Sequence, residues 1–401
     1  MTQKMKLALH IGTEKTGTTL LQAWLYHNQN SLSKHGYFLS NKIEFPCNRK
    51  LVAFFRGEAD DYWNFHALRS KEEKERFFEG FLQDFEAELR DAEKSHHTII
   101  ISAEHFHSRL NVQEDLAAFA EFCKRNFREI RVICYLRPQW AVRHSLYSTA
   151  VKLHKTEPLS EFDANLSRDN LYYNYYDLYR RWGRNFGFEN LDFREYDRKS
   201  FEKGDLRLDF LKAVGGDIDA DALDFSITSA NESVKLLRAA AMIGINKAIP
   251  LFPPHGVDKR NYYYKSIVTQ LDALNVGEII DDRAQEIADT FRDSNARLAR
   301  EAFGREELFP EPEQKTAAER VFSAQDVADI IEKVVFAYTQ RTSRRLLFDE
   351  DANVLRDVAL KYQSGAPVTR EEALALMSLA ARARPNGALI LQKLNEWRQD
   401  D

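Results

Sequence analysis

Residues 10–21 read His10-Ile11-Gly12-Thr13-Glu14-Lys15-Thr16-Gly17-Thr18-Thr19-Leu20-Leu21, and the reading of this stretch decides the fold. A β-rich run, Lys6 to Ile11, leads into it, and beyond it Leu20, Trp24 and His27 recur at helical spacing. The pattern is a strand, a tight loop turned by Gly12 and Gly17, and a helix opening near Thr18. Such a junction gathers free backbone N–H groups and the positive end of a helix dipole around one anion. Thr18 and Thr19 add hydroxyl donors, and Lys15 adds a mobile positive charge. The nucleoside-triphosphate loop G-x-x-x-x-G-K-[ST] has nearly this spacing. Here, however, Thr18 follows the second glycine and the lysine stands two places before it. A lysine so placed points at the end of the loop rather than along the helix. The run Thr98–Ser102 also ends without the aspartate that would hold Mg²⁺.

Outward from the loop, strands and helices alternate. Gly36–Leu39 reads as a short second strand. Thr98–Ile101 and Ile130–Leu136 are nearly continuous β-branched runs, as expected for strands buried on both faces of a parallel sheet. Asn190–Tyr196 reads as a further strand, followed by a helix over Leu206–Val214 that stops at Gly215-Gly216. Residues 71–93 read as one charged amphipathic helix with Phe77, Phe78, Phe81, Leu82, Phe85 and Leu89 on one face. The order predicts an α/β fold, a three-layer α/β/α domain with a mainly parallel sheet and a phosphate site like a P-loop, over residues 1–310. In such sheets ligands lie beyond the carboxyl ends of the strands. Phe309–Thr316 reads as a linker. Residues 317–401 read as a helical C-terminal extension, with the apolar stripe Val327, Ile330, Ile331, Val334, Val335 and Tyr338 and capping-box spacing at Thr369–Glu372.

The bulk composition narrows the function. A 44% apolar, 30% charged chain of 401 residues buries an ordinary globular core. A net charge of −5 provides no overall basic field, which argues against a nucleic-acid partner. A highly anionic ligand therefore needs a local cluster of Lys, Arg and backbone N–H groups. Cys47, Cys123 and Cys134 are too few and too scattered for a disulfide framework or a zinc site, and Cys134 reads as a small buried hydrophobe. With no secretory leader pattern and no apolar run of about 18–20 residues, the expected location is the cytoplasm.

Lys15-Thr16-Gly17-Thr18-Thr19, after a strand and opening a helix, resembles the 5′-phosphosulfate loop of the sulfotransferase family. Cys134-Tyr135-Leu136-Arg137-Pro138, with Ser145 eight residues after Arg137, is similar to the family's 3′-phosphate site. There an arginine at a strand end and a serine on the following helix share the phosphate. Pro138 suits a first helical turn, and Ser145 lies about two turns further on. Arg194-Glu195-Tyr196-Asp197 resembles the strand that carries an adenine-stacking tyrosine, which makes Tyr196 that residue or else a core tyrosine at a strand end. The likeness spans roughly residues 6–310 and is closer to bacterial and carbohydrate-type members than to small-phenol enzymes. The Arg-Lys-Gly triplet of cytosolic small-molecule members is missing; Lys259-Arg260 either substitutes for it or is solvated surface.

The resemblance implies a donor, 3′-phosphoadenosine 5′-phosphosulfate (PAPS), a product, adenosine 3′,5′-bisphosphate (PAP), and in-line sulfuryl transfer to a hydroxyl or amine. Because the leaving group is already a phosphate, this chemistry needs no metal in principle. Lys15 is the candidate to stabilise charge growing on the bridging oxygen. The base is expected where Thr98–Ile101 ends, with Glu104 first, His105 second, and Glu44 a further candidate. Tyr172–Trp182 and Tyr262–Tyr264 offer faces for a sugar, although Tyr172, Tyr176 and Tyr179 at helical spacing read better as a core stripe. A polysaccharide or glycolipid is the leading acceptor. The competing readings are a P-loop kinase with a degenerate loop, requiring Mg²⁺ and ATP, and a non-catalytic nucleotide-binding protein.

Overall fold

The computed structural model describes residues 3–216, 218–228, 234–248, 281–313, 330, 349–365 and 367–399. Five strands form one parallel sheet: β1 (Lys6–His10), β2 (Tyr37–Phe38), β3 (Thr98–Ser102), β4 (Glu129–Leu136) and β5 (Leu191–Glu195). Their order is β2-β3-β1-β4-β5. The chain runs from β1 to β2 and β3 on one side, then crosses to β4 and β5 on the other. The reversal falls between β1 and β4, and it is beyond the carboxyl ends of strands at such a switch point that sheets of this kind receive ligands.

The helices are α1 (Thr18–His27), α2 (Gln29–Lys34), α3 (Arg49–Phe55), α4 (Asp61–Phe65), α5 (Lys71–Phe77), α6 (Phe81–Ala92), α7 (His105–Arg109), α8 (Gln113–Asn126), α9 (Gln139–Lys152), α10 (Tyr175–Phe186) and α11 (Leu206–Val214). Strand side chains alternate between two cores, as the pleat requires. Leu7, Leu9, Ile99, Ile101, Val132 and Cys134 pack with residues of α3, α6, α8 and α10. Ala8, Ile100, Ile133 and Tyr135 pack with Leu21, Trp24 and Leu25 of α1 and Phe210 of α11. The expected three-layer α/β/α arrangement with a parallel sheet is therefore present. Cys134 is fully buried, as its setting implied.

Two helical expectations are corrected. Residues 71–93 form two helices, because Gly80 adopts φ +73° and breaks the run between α5 and α6. Phe85 and Leu89 keep the buried face, while Phe77 is exposed. Tyr172, Tyr176 and Tyr179 do not share one helical stripe. Asn174 caps α10 by accepting from Asp177 N–H (3.1 Å), so the helix starts at Tyr175 and Tyr172 lies ahead of it. Tyr179 is buried, whereas the Tyr176 hydroxyl reaches Glu301 (2.7 Å).

The chain divides into two compact units, one of residues 1–153, 157–234 and 279–317, the other of residues 154–156, 235–278 and 318–401. The first carries the sheet. In the second, helices Asp349–Leu360, Arg370–Ala383 and Ala388–Gln399 enclose a core of Ala352, Met377, Ile390, Leu394 and Trp397. Thr369 and Glu372 form the expected capping box. Apart from Ile330, which is helical, the stripe from Val327 to Tyr338 lies outside the described residues, as do Lys259-Arg260, Tyr262–Tyr264 and residues 314–316 of the linker. Among the described residues, no helix is long and apolar enough to cross a membrane.

Candidate active site

The loop after β1 extends the sheet's hydrogen bonding beyond the strand. Ile11 N–H donates to Ile133 O (3.0 Å), Tyr135 N–H to Gly12 O (2.6 Å) and Thr13 N–H to Tyr135 O (2.8 Å). The Thr13 hydroxyl donates to the same carbonyl (3.1 Å), and the Thr16 hydroxyl turns inward onto Thr13 O (2.6 Å). Thr16 therefore shapes the loop, leaving its neighbours to face a ligand. Gly17 takes φ +75° as the residue before α1, and no side chain caps that helix. Its first-turn N–H groups are thus left for an anion. A Cβ at Gly17 would come within 2.6 Å of Leu206 Cδ2 and 3.1 Å of the Tyr196 hydroxyl. At Gly12, with φ +104°, it would meet the Glu104 backbone at 3.1 Å. Each glycine lets the loop approach a different strand end.

Two cations face this loop. Lys15, itself at φ +66°, donates from Nζ to Thr149 Oγ1 (2.8 Å) on α9, and Thr149 donates onward to Ser145 O (3.2 Å). Arg137 follows β4, donates to Lys15 O (3.3 Å), and sits 5.9 Å from the Tyr196 ring centre. Its own carbonyl accepts from the Tyr175 hydroxyl (2.8 Å), while Tyr196 N–H continues the sheet onto Leu136 O (2.7 Å). Burial lowers the pKa of Lys15, against the pull of Glu14 and Glu104, and Arg137 lowers it further. Burial likewise lowers Arg137, while Tyr196 and Tyr175 oppose the shift. Two cations that burial disfavours, Lys15 further so by the nearness of Arg137, are in the setting that a bound polyanion relieves.

The opposite wall begins where β3 ends. Glu104 Oε2 accepts from Gln22 Nε2 (2.7 Å) of α1 and lies 3.8 Å from Cys47 Sγ. Cys47 Sγ is 3.5 Å from His105 Nδ1. Asn48 fixes this approach by exchanging two hydrogen bonds with Ser102, its Oδ1 accepting from Ser102 N–H (2.8 Å) and its N–H reaching Ser102 O (3.0 Å). Burial, then the charge of Glu104, pushes the Cys47 thiol up. Burial lowers His105, with Glu104 opposing. Glu44 is engaged elsewhere, accepting from the Tyr62 hydroxyl (2.9 Å) with His66 at 3.9 Å. Glu14, within the loop, accepts from the Tyr172 hydroxyl (3.1 Å), and the Tyr172 carbonyl contacts buried His107 (2.9 Å).

The structure thus brings Lys15, Gly17, Thr18, Arg137 and Tyr196 around one end of the sheet, with Glu104 and His105 on the neighbouring strand end. Thr19 lies exposed on the first turn of α1, and half-buried Ser145 joins the lysine through Thr149. Sequence reasoning missed Gln22, Cys47 and Glu14 as members of this site. Gln22 had a signal, since it lies one turn along the helix that the loop opens. Cys47 had none, because long-range contacts such as the Asn48–Ser102 pair bring it to Glu104 and no local pattern encodes them.

No protein-family model matches the chain. An uncharacterized protein of Archaeoglobus fulgidus is 32% identical over 212 residues, which are 53% of this chain. The chain spans about half of that relative's length, 55%. Two solved structures also match. The crystal structure of a sulfotransferase from Alicyclobacillus acidocaldarius aligns with 75% of this chain and 96% of its own, at 14% identity and a TM-score of 0.38. The sulfotransferase domain from the Synechococcus PCC 7002 olefin synthase aligns with 63% of this chain and 98% of its own, at 14% identity and a TM-score of 0.27.

Proposed function

We propose that the chain is a cytoplasmic sulfotransferase that moves the sulfuryl group of PAPS to a hydroxyl or amine of an acceptor, with a polysaccharide or glycolipid as the leading class. The reading rests on one observation. An uncapped helix N-terminus, Lys15, Arg137 and the Tyr196 ring meet at the switch point of a parallel sheet, beside a carboxylate held by Gln22. Residues 1–310 are assigned to the transferase, and 317–401 to a helical extension.

In this assignment the N–H groups of Thr18 and Thr19 and their hydroxyls bind the 5′-phosphosulfate. Arg137 and Ser145 bind the 3′-phosphate, and Tyr196 stacks on adenine. Sulfuryl transfer resembles phosphoryl transfer, an in-line displacement in which positioning and charge stabilisation dominate. Lys15 leaves Thr149 and follows the charge that grows on the departing phosphate oxygen. Glu104 takes the acceptor proton, with Gln22 fixing the orientation of its carboxylate, and His105 is the second candidate for that role.

Calorimetry tests the donor site. PAP is expected to bind tightly without Mg²⁺, to outcompete ADP, and to lose at least about tenfold in affinity in Arg137→Ala, a bidentate charge contact being worth about 1.5–3 kcal/mol. Preference for ADP with Mg²⁺, or indifference to Arg137, replaces this reading with the kinase.

A further inference from the structure

We infer that Cys47, Glu104 and His105 form a binding site for a borderline-soft divalent cation, zinc being the type case. Among the described residues, the three ligand atoms lie within 4.8 Å of one another. A tetrahedral zinc ion with bonds of about 2.0–2.3 Å sets its ligands about 3.3–3.8 Å apart. Cys47 Sγ stands 3.5 Å from His105 Nδ1 and 3.8 Å from Glu104 Oε2, so both sulfur edges already match that figure.

The donor set matches as well. One thiolate, one imidazole and one carboxylate suit zinc rather than Mg²⁺ or Ca²⁺, which take oxygen ligands. Three protein ligands leave a fourth position for water. The supports are already in place: Gln22 Nε2 donates to Glu104 Oε2 (2.7 Å), orienting the same oxygen that faces Cys47, and the Asn48–Ser102 pair fixes the residue next to Cys47. The neighbouring guanidinium of Arg49 is paired with Asp61 (2.6 Å), which limits its repulsion of a cation. On binding, the Cys47 S–H bond breaks, a sulfur–metal bond forms, and the proton passes to the buffer.

The consequence for catalysis rests on the proposed function: an ion here takes the lone pairs of Glu104 that would receive the acceptor proton. Zinc then acts as an inhibitor that leaves the nucleotide site free. The binding itself is independent of that reading and is measured without turnover.

The test titrates Co²⁺ and Zn²⁺ into the full chain and into Cys47→Ser and His105→Ala. One equivalent of cobalt should give a thiolate-to-metal charge-transfer band with intense tetrahedral d–d bands. Zinc should displace it and raise the thermal midpoint. Cys47→Ser should lose the charge-transfer band, and each variant should bind zinc at least about tenfold more weakly. Metal-free melting curves matching the wild type show that the variants fold. A cobalt spectrum without the sulfur band, or zinc affinity unchanged in Cys47→Ser, overturns the site. Loss of PAP binding with the cobalt result intact overturns only the transferase reading.

Discussion

Gly17→Ala isolates the most demanding contact in the loop, and the protein contains its own control. Gly17 and Gly80 both precede a helix, with φ of +75° and +73°. A Cβ at Gly80 would meet nothing within 4 Å, whereas at Gly17 it runs into Leu206 and the Tyr196 hydroxyl. Forcing a residue with a Cβ into the left-handed region costs about 1–2 kcal/mol, which is the whole effect expected for Gly80→Ala. Crowding a packed site adds about 1–3 kcal/mol. The Leu206 methyl can rotate aside, but Tyr196 is tied to the end of β4 by its backbone. Gly17→Ala should therefore lose about 2–5 kcal/mol and also displace the ring that faces Arg137. Urea unfolding at constant m-value measures the first effect, and PAP calorimetry the second. Equal stability losses in the two variants, or wild-type PAP affinity in Gly17→Ala, refute the idea that this glycine is set by its closeness to the tyrosine.

Other outcomes follow from the same geometry. Lys15→Ala should lower the transfer rate on the order of 10²-fold or more, while Glu104→Gln should lower turnover yet bind PAP as the wild type does; steady-state rates beside calorimetry separate the two. Asp209, with a side chain only 5% exposed, accepts from Arg194 (2.8 Å to each oxygen) and from the Tyr135 hydroxyl (2.8 Å). Burial opposes its ionisation, but the bonds from Arg194 and Tyr135 prevail and hold its pKa below the usual aspartate value. A depressed carboxylate stabilises the fold above its unfolded pKa, near 3.9, and the contribution disappears as pH falls through the folded value. Asp209→Asn should flatten that part of the acid limb in a stability–pH series and cost about 3 kcal/mol near neutrality, the low end for a broken buried pair because Asp192 still contacts Arg194 (3.2 Å).

The sheet was legible because its strands are short, β-branched and bounded by Gly, Pro and polar turns. Thr98–Ser102 and Glu129–Leu136 stand within a residue of where the pattern placed them. The anion-facing residues were legible for a related reason, since Lys15 lies in the loop after β1, Arg137 directly follows β4, and a parallel sheet gathers strand ends on one edge. Periodicity failed where a single residue overrode it. Gly80 splits a run whose charged first half buries no residue from its amphipathic second half, and the Asn174 cap starts α10 three residues beyond Tyr172. Cys47 was invisible for another reason: its neighbours in space are 57 and 58 residues away in sequence, brought near by tertiary contacts such as the Asn48–Ser102 pair.

The cross-strand bonds of residues 11–13 also bear on time. Residues 11–13, already engaged with β4, have little freedom left to lose, so on the proposed function they add little ordering cost to nucleotide capture. On the proposed function, the part residues 11–13 play in the encounter is set by charge rather than by their own rearrangement.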